Sequence, residues 1–309
     1  MTKLRRNHNK TKSNVITILR VIGFIIAIIV MMFYLWNSAT SEESKNYTYN
    51  RTGHEVLITE DESGEIKKSF LPESTTGEVI RHKYYTLSYD ESHEQAEWVA
   101  YKLTKRSLQL PNVKRAREFR TDKAVSTQSA RHNDYTRSGF TRGHMAPAGD
   151  MAFCKEAMQE SFFMSNMSPQ TKECNGGIWR ELEEATRDWG YDNKEVYIVT
   201  GPVLSKGHIL KKIGRNKVSV PDLFYKIILD NKAPDIKAIA FLIPNERSEK
   251  PLSEYAVTID KVEEITGIDF FADYLDSDLE NILESQFDIS DWRIDKRRYH
   301  QRVKNWNGR

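Results

Sequence analysis

Three apolar, β-branched runs at residues 195–200, 223–229 and 236–243 constrain this chain more than any other feature. Each has strand length, and each carries Val, Ile, Tyr or Phe where an amphipathic helix would show one apolar stripe. Residues 97–103 (EWVAYKL) add an alternating run of the same kind. Helical patterns lie among these strands. Residues 155–164 read as a short helix, and from Asn175 onward Trp179, Leu182, Thr186 and Trp189 fall on one core-facing stripe, with Asn175 as N-cap. A shorter strand candidate at 255–259 precedes a helix at 260–266. Strands and helices mixed around one sheet predict the α+β class.

The N-terminus follows a different rule. Residues 21–36 are an unbroken apolar run that extends back to Val15 with Arg20 as its only charge. As a helix, the 22 residues of 15–36 rise about 33 Å, enough to cross the hydrocarbon core of a bilayer. The run is long for a cleaved signal peptide, and Asn37-Ser38-Ala39 is a poor cleavage site, so residues 15–36 read as an uncleaved transmembrane anchor. Lys3, Arg5, Arg6, Lys10 and Lys12 make 1–14 a basic cytoplasmic tail and put everything after Trp36 on the periplasmic or extracellular side. The first forty residues contain no Asp or Glu, as a mitochondrial targeting segment also would, so the mitochondrial inner membrane is the competing address. Residues 37–80, rich in Ser, Thr, Glu and Lys, read as a stalk or mobile arm. Residues 81–290 form one folded domain, and 291–309 a basic, aromatic tail that either pairs with nucleic acid or is a solvated helix, the second being favoured.

Of 46 Lys+Arg and 44 Asp+Glu, six bases and no acid fall in the first forty residues, which leaves the rest with a net charge of −4. No global basic field draws in a polyanion, so any such footprint is local. Residues 102–142 hold eleven Lys+Arg against Glu118, Asp122 and Asp134, a net +8 stretch that runs into Arg142 and His144. Two cysteines, Cys154 and Cys174, allow one bridge or two buried thiols, and neither has a zinc-ligand spacing.

The chemistry concentrates in Thr141-Arg142-Gly143-His144-Met145-Ala146-Pro147, then Ser165-Asn166-Met167-Ser168-Pro169-Gln170, then Asn175 and Glu183. Phosphodiester hydrolysis needs a base for water, positive charge on the phosphoryl oxygens and neutralisation of the departing alkoxide. His144 is a base that can be neutral at physiological pH. Arg142 lies on the same side of an extended segment and offers two parallel donors to a phosphate. Magnesium keeps most of its waters, so one amide ligand, Asn175, suits it. Glu183, eight residues along the helix, sits too far round to share the inner ligand set and fits an acceptor that orients water held by the metal.

These residues resemble the DNA/RNA non-specific endonucleases of the ββα-metal superfamily. The resemblance runs from about Arg81 to Ala272 and includes Asn175-Gly-Gly-Ile-Trp-Arg-Glu-Leu-Glu183, Val199-Thr-Gly-Pro-Val203, Val220-Pro and Ala240-Phe-Leu-Ile-Pro-Asn245. It implies a mainly antiparallel sheet flanked by helices. It also implies His144 as general base, Asn175 as direct metal ligand, Glu183 acting through water, Asn166 as an active-site amide and Arg142 as a transition-state or substrate contact. Arg117 matches the upstream phosphate-binding arginine, with Arg115 close enough to compete. The expected cofactor is Mg2+, with Mn2+ as a substitute; the expected partners are DNA and/or RNA, the membrane and, as is common among relatives, a second copy of the chain. Two positions depart: the usual acid before Arg-Gly-His is Thr141, and Phe162 stands where some members have a polar amide near the metal. The rival from another class is a membrane-tethered module that binds nucleic acid without cutting it; a phosphodiesterase for small or lipid substrates is a third reading.

Overall fold

Strands β1 (Glu78–Arg81), β2 (Thr86–Asp90) and β3 (Gln95–Thr104) open the fold as a meander that leads into helix α1 (Lys105–Gln109). A hairpin of β4 (Thr141–His144) and β5 (Met167–Gln170) encloses helix α2 (Lys155–Glu160), and a π-helical turn at Cys174–Ile178 then runs into helix α3 (Trp179–Asp192). After β6 (Glu195–Pro202) come a two-stranded ribbon of β7 (Ile209–Ile213) and β8 (Val218–Pro221), the long strands β9 (Leu223–Asp230) and β10 (Lys237–Pro244), and the short β11 (Ala256–Val257). Helices α4 (Ile259–Thr266), α5 (Ser277–Ser285) and α6 (Lys296–Gln301) complete the chain. This computed structural model describes residues 70–72, 77–205, 207–272 and 274–306. The anchor over 15–36, the basic tail before it and most of the stalk lie outside the described residues, among which no helix is long and apolar enough to cross a membrane.

The seven-stranded sheet has the order β1-β2-β3-β6-β9-β10-β11, antiparallel throughout. Its central strands are buried on both faces, which is why they read as continuous apolar runs. Alternate residues feed two separate cores. Tyr101, Ile198, Phe224, Ile228 and Phe241 pack with Trp179, Leu182 and Trp189 of α3. Trp98, Val199, Tyr225, Ile227 and Ala240 pack with Ile259 and Val262 of α4 and Leu283 of α5.

Several expectations are corrected here. The helix expected over 155–164 stops at Glu160, and the chain then crosses to a 3-10 turn at Met164–Asn166. The strand expected over 255–259 shortens to Ala256–Val257 because Leu252–Tyr255 closes into a 3-10 turn. Asn175 is not the N-cap: the Thr171 hydroxyl accepts from the Cys174 amide at 3.1 Å, which leaves the Asn175 side chain free to point elsewhere. Both cysteines are free thiols, with Cys174 buried and Cys154 half-buried. The domain also begins earlier than residue 81, since β1 starts at Glu78 and Phe70 packs against Tyr197.

The C-terminal segment is not a solvated tail. Trp292 packs edge-on to Trp189 with centroids 5.2 Å apart, and Arg302 is 0% exposed. The Arg302 guanidinium donates to Glu181 Oε2 at 2.5 Å and to the carbonyls of Ser248 and Lys250. Arg298 reaches Asp188 at 2.6 Å and Glu184 at 3.3 Å, so the segment grips the outer side of α3 through carboxylates.

Candidate active site

The site is built on β4, β5 and α3, two short antiparallel strands and the helix that follows them. Arg142 pairs with Pro169 and His144 with Met167 across the hairpin. A Cβ at the intervening Gly143 would overlap the buried Gln170 carboxamide and force that side chain to move. Trp179 at the start of α3 donates its indole N–H to the His144 carbonyl at 3.3 Å and joins helix to hairpin. Asn245 locks the exit of β5: its amide donates to the carbonyls of Pro169 and Pro221 and accepts from the Thr171 amide. This is the structural use of the Val220-Pro and Ala240–Asn245 segments.

His144 is 6% exposed, and its Nε2 has no hydrogen-bond partner. Phe162 meets its ring edge-on at 4.9 Å and Phe119 lies 5.9 Å away. Burial, with the Arg115 charge nearby, lowers the imidazole from its ordinary 6.5 to about 3, so it stays neutral well below physiological pH. The departure at Phe162 thus has a physical effect: it keeps the base dry. Arg142 shares the face of His144, with its guanidinium 5.4 Å from the rings of Phe119 and Tyr135 and one N–H donated to the His132 carbonyl at 2.7 Å.

Of the two upstream arginines, Arg115 is the one the structure brings to His144. Both arginines are exposed, but the Arg115 guanidinium sits 5.2 Å from the Phe162 centroid, whereas Arg117 lines a 300 Å³ cavity with Glu118, Arg120 and Gln159. Asn166 is fully buried, and both ends of its amide are committed. It accepts from the Ala146 N–H at 2.8 Å and donates to the carbonyls of Ala146 and Ser161, each at 2.9 Å. It therefore pins the loop after His144 through backbone bonds.

Asn175 lies inside the π-helical turn, half-buried. Its amide nitrogen donates to Thr141 Oγ1 at 2.8 Å, while the same hydroxyl donates to the Gln170 carbonyl at 3.0 Å. Because the Thr141 proton is used on Gln170, the hydroxyl can only accept from Asn175, and this fixes which way the amide faces. The Asn175 carbonyl oxygen is left without a partner among the described residues. Thr141, in the position of the usual acid, orients the amide as a hydroxyl can.

Glu183 belongs to a charged cluster that sequence reading missed. Asp150 accepts from Arg187 and from the Tyr101 hydroxyl, each at 2.8 Å. Lys226 is 0% exposed, its ammonium has no hydrogen-bond partner, and it lies 5.1 Å from the Trp179 ring. Burial pushes the Glu183 carboxyl up to about 7, with Asp150 adding to the rise, while Arg187, Lys226 and Arg115 oppose it. Burial pulls Lys226 down, and Asp150 and Glu183 hold it up. Two signals were present in the sequence: Arg187 is four residues after Glu183, on the same helix face, and Lys226 interrupts an otherwise apolar strand. An amide oxygen and a carboxylate with no hydrogen-bond partner among the described residues, the carboxylate beside cations that oppose its burial-driven rise, form an oxygen-only donor set. That set fits a hard divalent cation.

Residues 62–277 match the model of the DNA/RNA non-specific endonuclease family. The chain is 36% identical over 218 residues to the mitochondrial nuclease EXOG of Danio rerio, covering 65% of this chain and 62% of that relative. It therefore spans about three fifths of the EXOG relative. It is 31% identical over 224 residues to mitochondrial endonuclease G of Homo sapiens, covering 69% and 75%, and 35% identical over 216 residues to a nuclease of Nostoc sp., covering 66% and 76%. Among solved structures, a chain of an EndoG/EndoGI complex superposes with a TM-score of 0.60 at 31% identity, over 65% of this chain and 88% of that one.

Proposed function

This chain belongs to the DNA/RNA non-specific endonuclease family, and on that premise we propose that it is a metal-dependent endonuclease that hydrolyses phosphodiester bonds of DNA and RNA without reading bases. One observation carries the reading: a dry, neutral His144 and an Asn175 amide held through its nitrogen by Thr141, with its oxygen turned away, share a single ββα unit. His144 Nε2 accepts the proton of the attacking water. Arg142 and Arg115 hold phosphoryl oxygens, and the guanidinium fork gives paired contacts to a phosphate. Asn175, with Glu183 acting through water, would hold Mg2+, for which Mn2+ can substitute. When bound, the cation supplies positive charge to the phosphoryl and departing oxygens. Arg187 and Lys226 oppose the burial that raises Glu183 to about 7, and in its ionised form Glu183 accepts hydrogen bonds from water.

Contacts of this type address the backbone, so the enzyme cuts without sequence preference. The anchor over 15–36 tethers the domain on the outer side of its membrane and away from the cell's own chromosome. The names of the EXOG and endonuclease G relatives favour a mitochondrial address as the second reading, with the anchor then in the inner membrane.

Two variants test the metal assignment. Asn175→Ala lowers cleavage, and raised magnesium partly restores it; an unchanged magnesium titration would remove Asn175 from the site. Thr141→Val keeps the fold but frees the Asn175 amide to rotate. Loss of a group that orients a ligand typically weakens metal affinity about 10–100-fold, and half-maximal activity should move to higher magnesium by that factor. A titration that superimposes on the parent's would show that the Thr141 hydroxyl does not orient the ligand.

A further inference from the structure

Helices α4 and α5 pack together on the sheet face opposite α3, remote from the ββα unit. Thr258 caps α4, and Gly267, at φ +73°, ends it in a left-handed turn. The chain thereby returns so that five carboxylates converge. Side-chain oxygens of Asp260, Glu263 and Glu284 lie within 4.8 Å of one another, as do those of Asp269, Glu280 and Glu284. Glu284 belongs to both groups, yet it is only 8% exposed, and its Oε1 is buried with no hydrogen-bond partner.

A buried carboxylate oxygen without a donor is costly, and more so among other carboxylates. Lys261, on the same turn of α4, is taken by Glu264 at 2.7 Å. The Glu263 carboxylate accepts only one backbone bond, from Phe270 at 2.9 Å. Burial and the negative charges of Glu263, Glu280, Asp269 and Asp260 push Glu284 up to about 8.

We propose that Asp260, Glu263, Asp269, Glu280 and Glu284 form a calcium site, with Glu284 as the shared central ligand, that staples α4 to α5. The donors are all oxygens, three carboxylates in each of the two groups that share Glu284, where magnesium usually takes one or two from protein. Ca2+ accepts six to eight oxygens at 2.3–2.6 Å in flexible geometry, whereas Mg2+ keeps several waters and needs a near-ideal octahedron. Ligands from two helices and the turn between them make calcium a cross-link of the second core, stabilising the native state by mass action.

The test uses the full-length chain in detergent carrying Asn175→Ala, which weakens cation binding at the catalytic position and so limits its share of the readout. Thermal melts are recorded in EDTA, calcium or magnesium, and calcium binding is followed by calorimetry. Calcium at 100 times its dissociation constant should raise Tm by about 5–10 °C, with one ion bound, and magnesium at the same concentration should do much less. Adding Glu284→Gln should abolish the shift while leaving Tm in EDTA at or above that of its parent. Should that variant fail to fold, Asp260→Asn with Asp269→Asn, both on the exposed rim, should weaken calcium binding at least tenfold. An unchanged Tm in calcium, a shift that survives these substitutions, or an equal response to magnesium would overturn the proposal.

Discussion

His144→Ala should lower the rate of plasmid cleavage by about 10²–10⁴-fold, the usual contribution of a positioned general base, while nucleic-acid affinity stays within a few-fold. The expectation rests on Nε2, which is buried against Phe162 and Phe119 and has no protein partner. The base has nothing to do in binding, so its removal acts on the chemical step alone. Loss of affinity as large as the loss of rate would contradict this. The pH profile separates His144 from its neighbours. With its imidazole lowered to about 3, His144 stays neutral down to that pH and contributes no acid limb at pH 5–7. The limb comes from Glu183, whose carboxyl is raised to about 7. It should move to lower pH as magnesium increases, since a cation favours the ionised form, and it should flatten in Glu183→Gln. The stability sign is equally defined: folding buries a neutral imidazole, so the stability tied to His144 is complete above its unfolded value of 6.5 and is lost as pH falls toward 3.

Arg302→Ala should destabilise the fold by about 3–5 kcal/mol, the typical cost of leaving one partner of a buried ion pair alone. Arg302 is fully buried, and it serves both the Glu181 carboxylate and two carbonyls of the 248–250 loop. Removing it strands the Glu181 charge beneath α3 and releases the C-terminal segment. Thermal or urea unfolding measures the change. A control distinguishes charge from volume: Arg302→Met combined with Glu181→Leu removes both charges while filling the space, and should recover most of the loss. A single-mutant effect below about 1 kcal/mol would mean that the segment does not stabilise α3, whose other face bears Glu183 and Arg187.

The central sheet was legible because β6, β9 and β10 are buried on both faces and leave unmixed apolar runs. The hairpin that carries the chemistry was not: β4 and β5 have four residues each, with Gly143, Pro169 and several polar groups in place of an apolar pattern. His144, Arg142, Asn175 and Glu183 stood out by residue type and spacing. Their neighbours did not. Thr141 is an ordinary threonine until its hydroxyl is seen between Gln170 and Asn175, and Asn166 has the composition of a site residue but spends its amide on the backbone. Arg302 lay in a basic run that looks solvated because its partner, Glu181, is 121 residues away in sequence. Local pattern reveals burial, but it does not reveal long-range polar partners.

The most direct test of the account is cleavage of supercoiled plasmid and of RNA by the full-length chain, in magnesium and in EDTA. Nicking of both in magnesium, none in EDTA, and recovery when the metal is returned is the predicted result. Cleavage undiminished by EDTA, or binding without cleavage across magnesium, manganese and calcium, would contradict it, and the second outcome would make the protein a tethered nucleic-acid receptor on a nuclease fold.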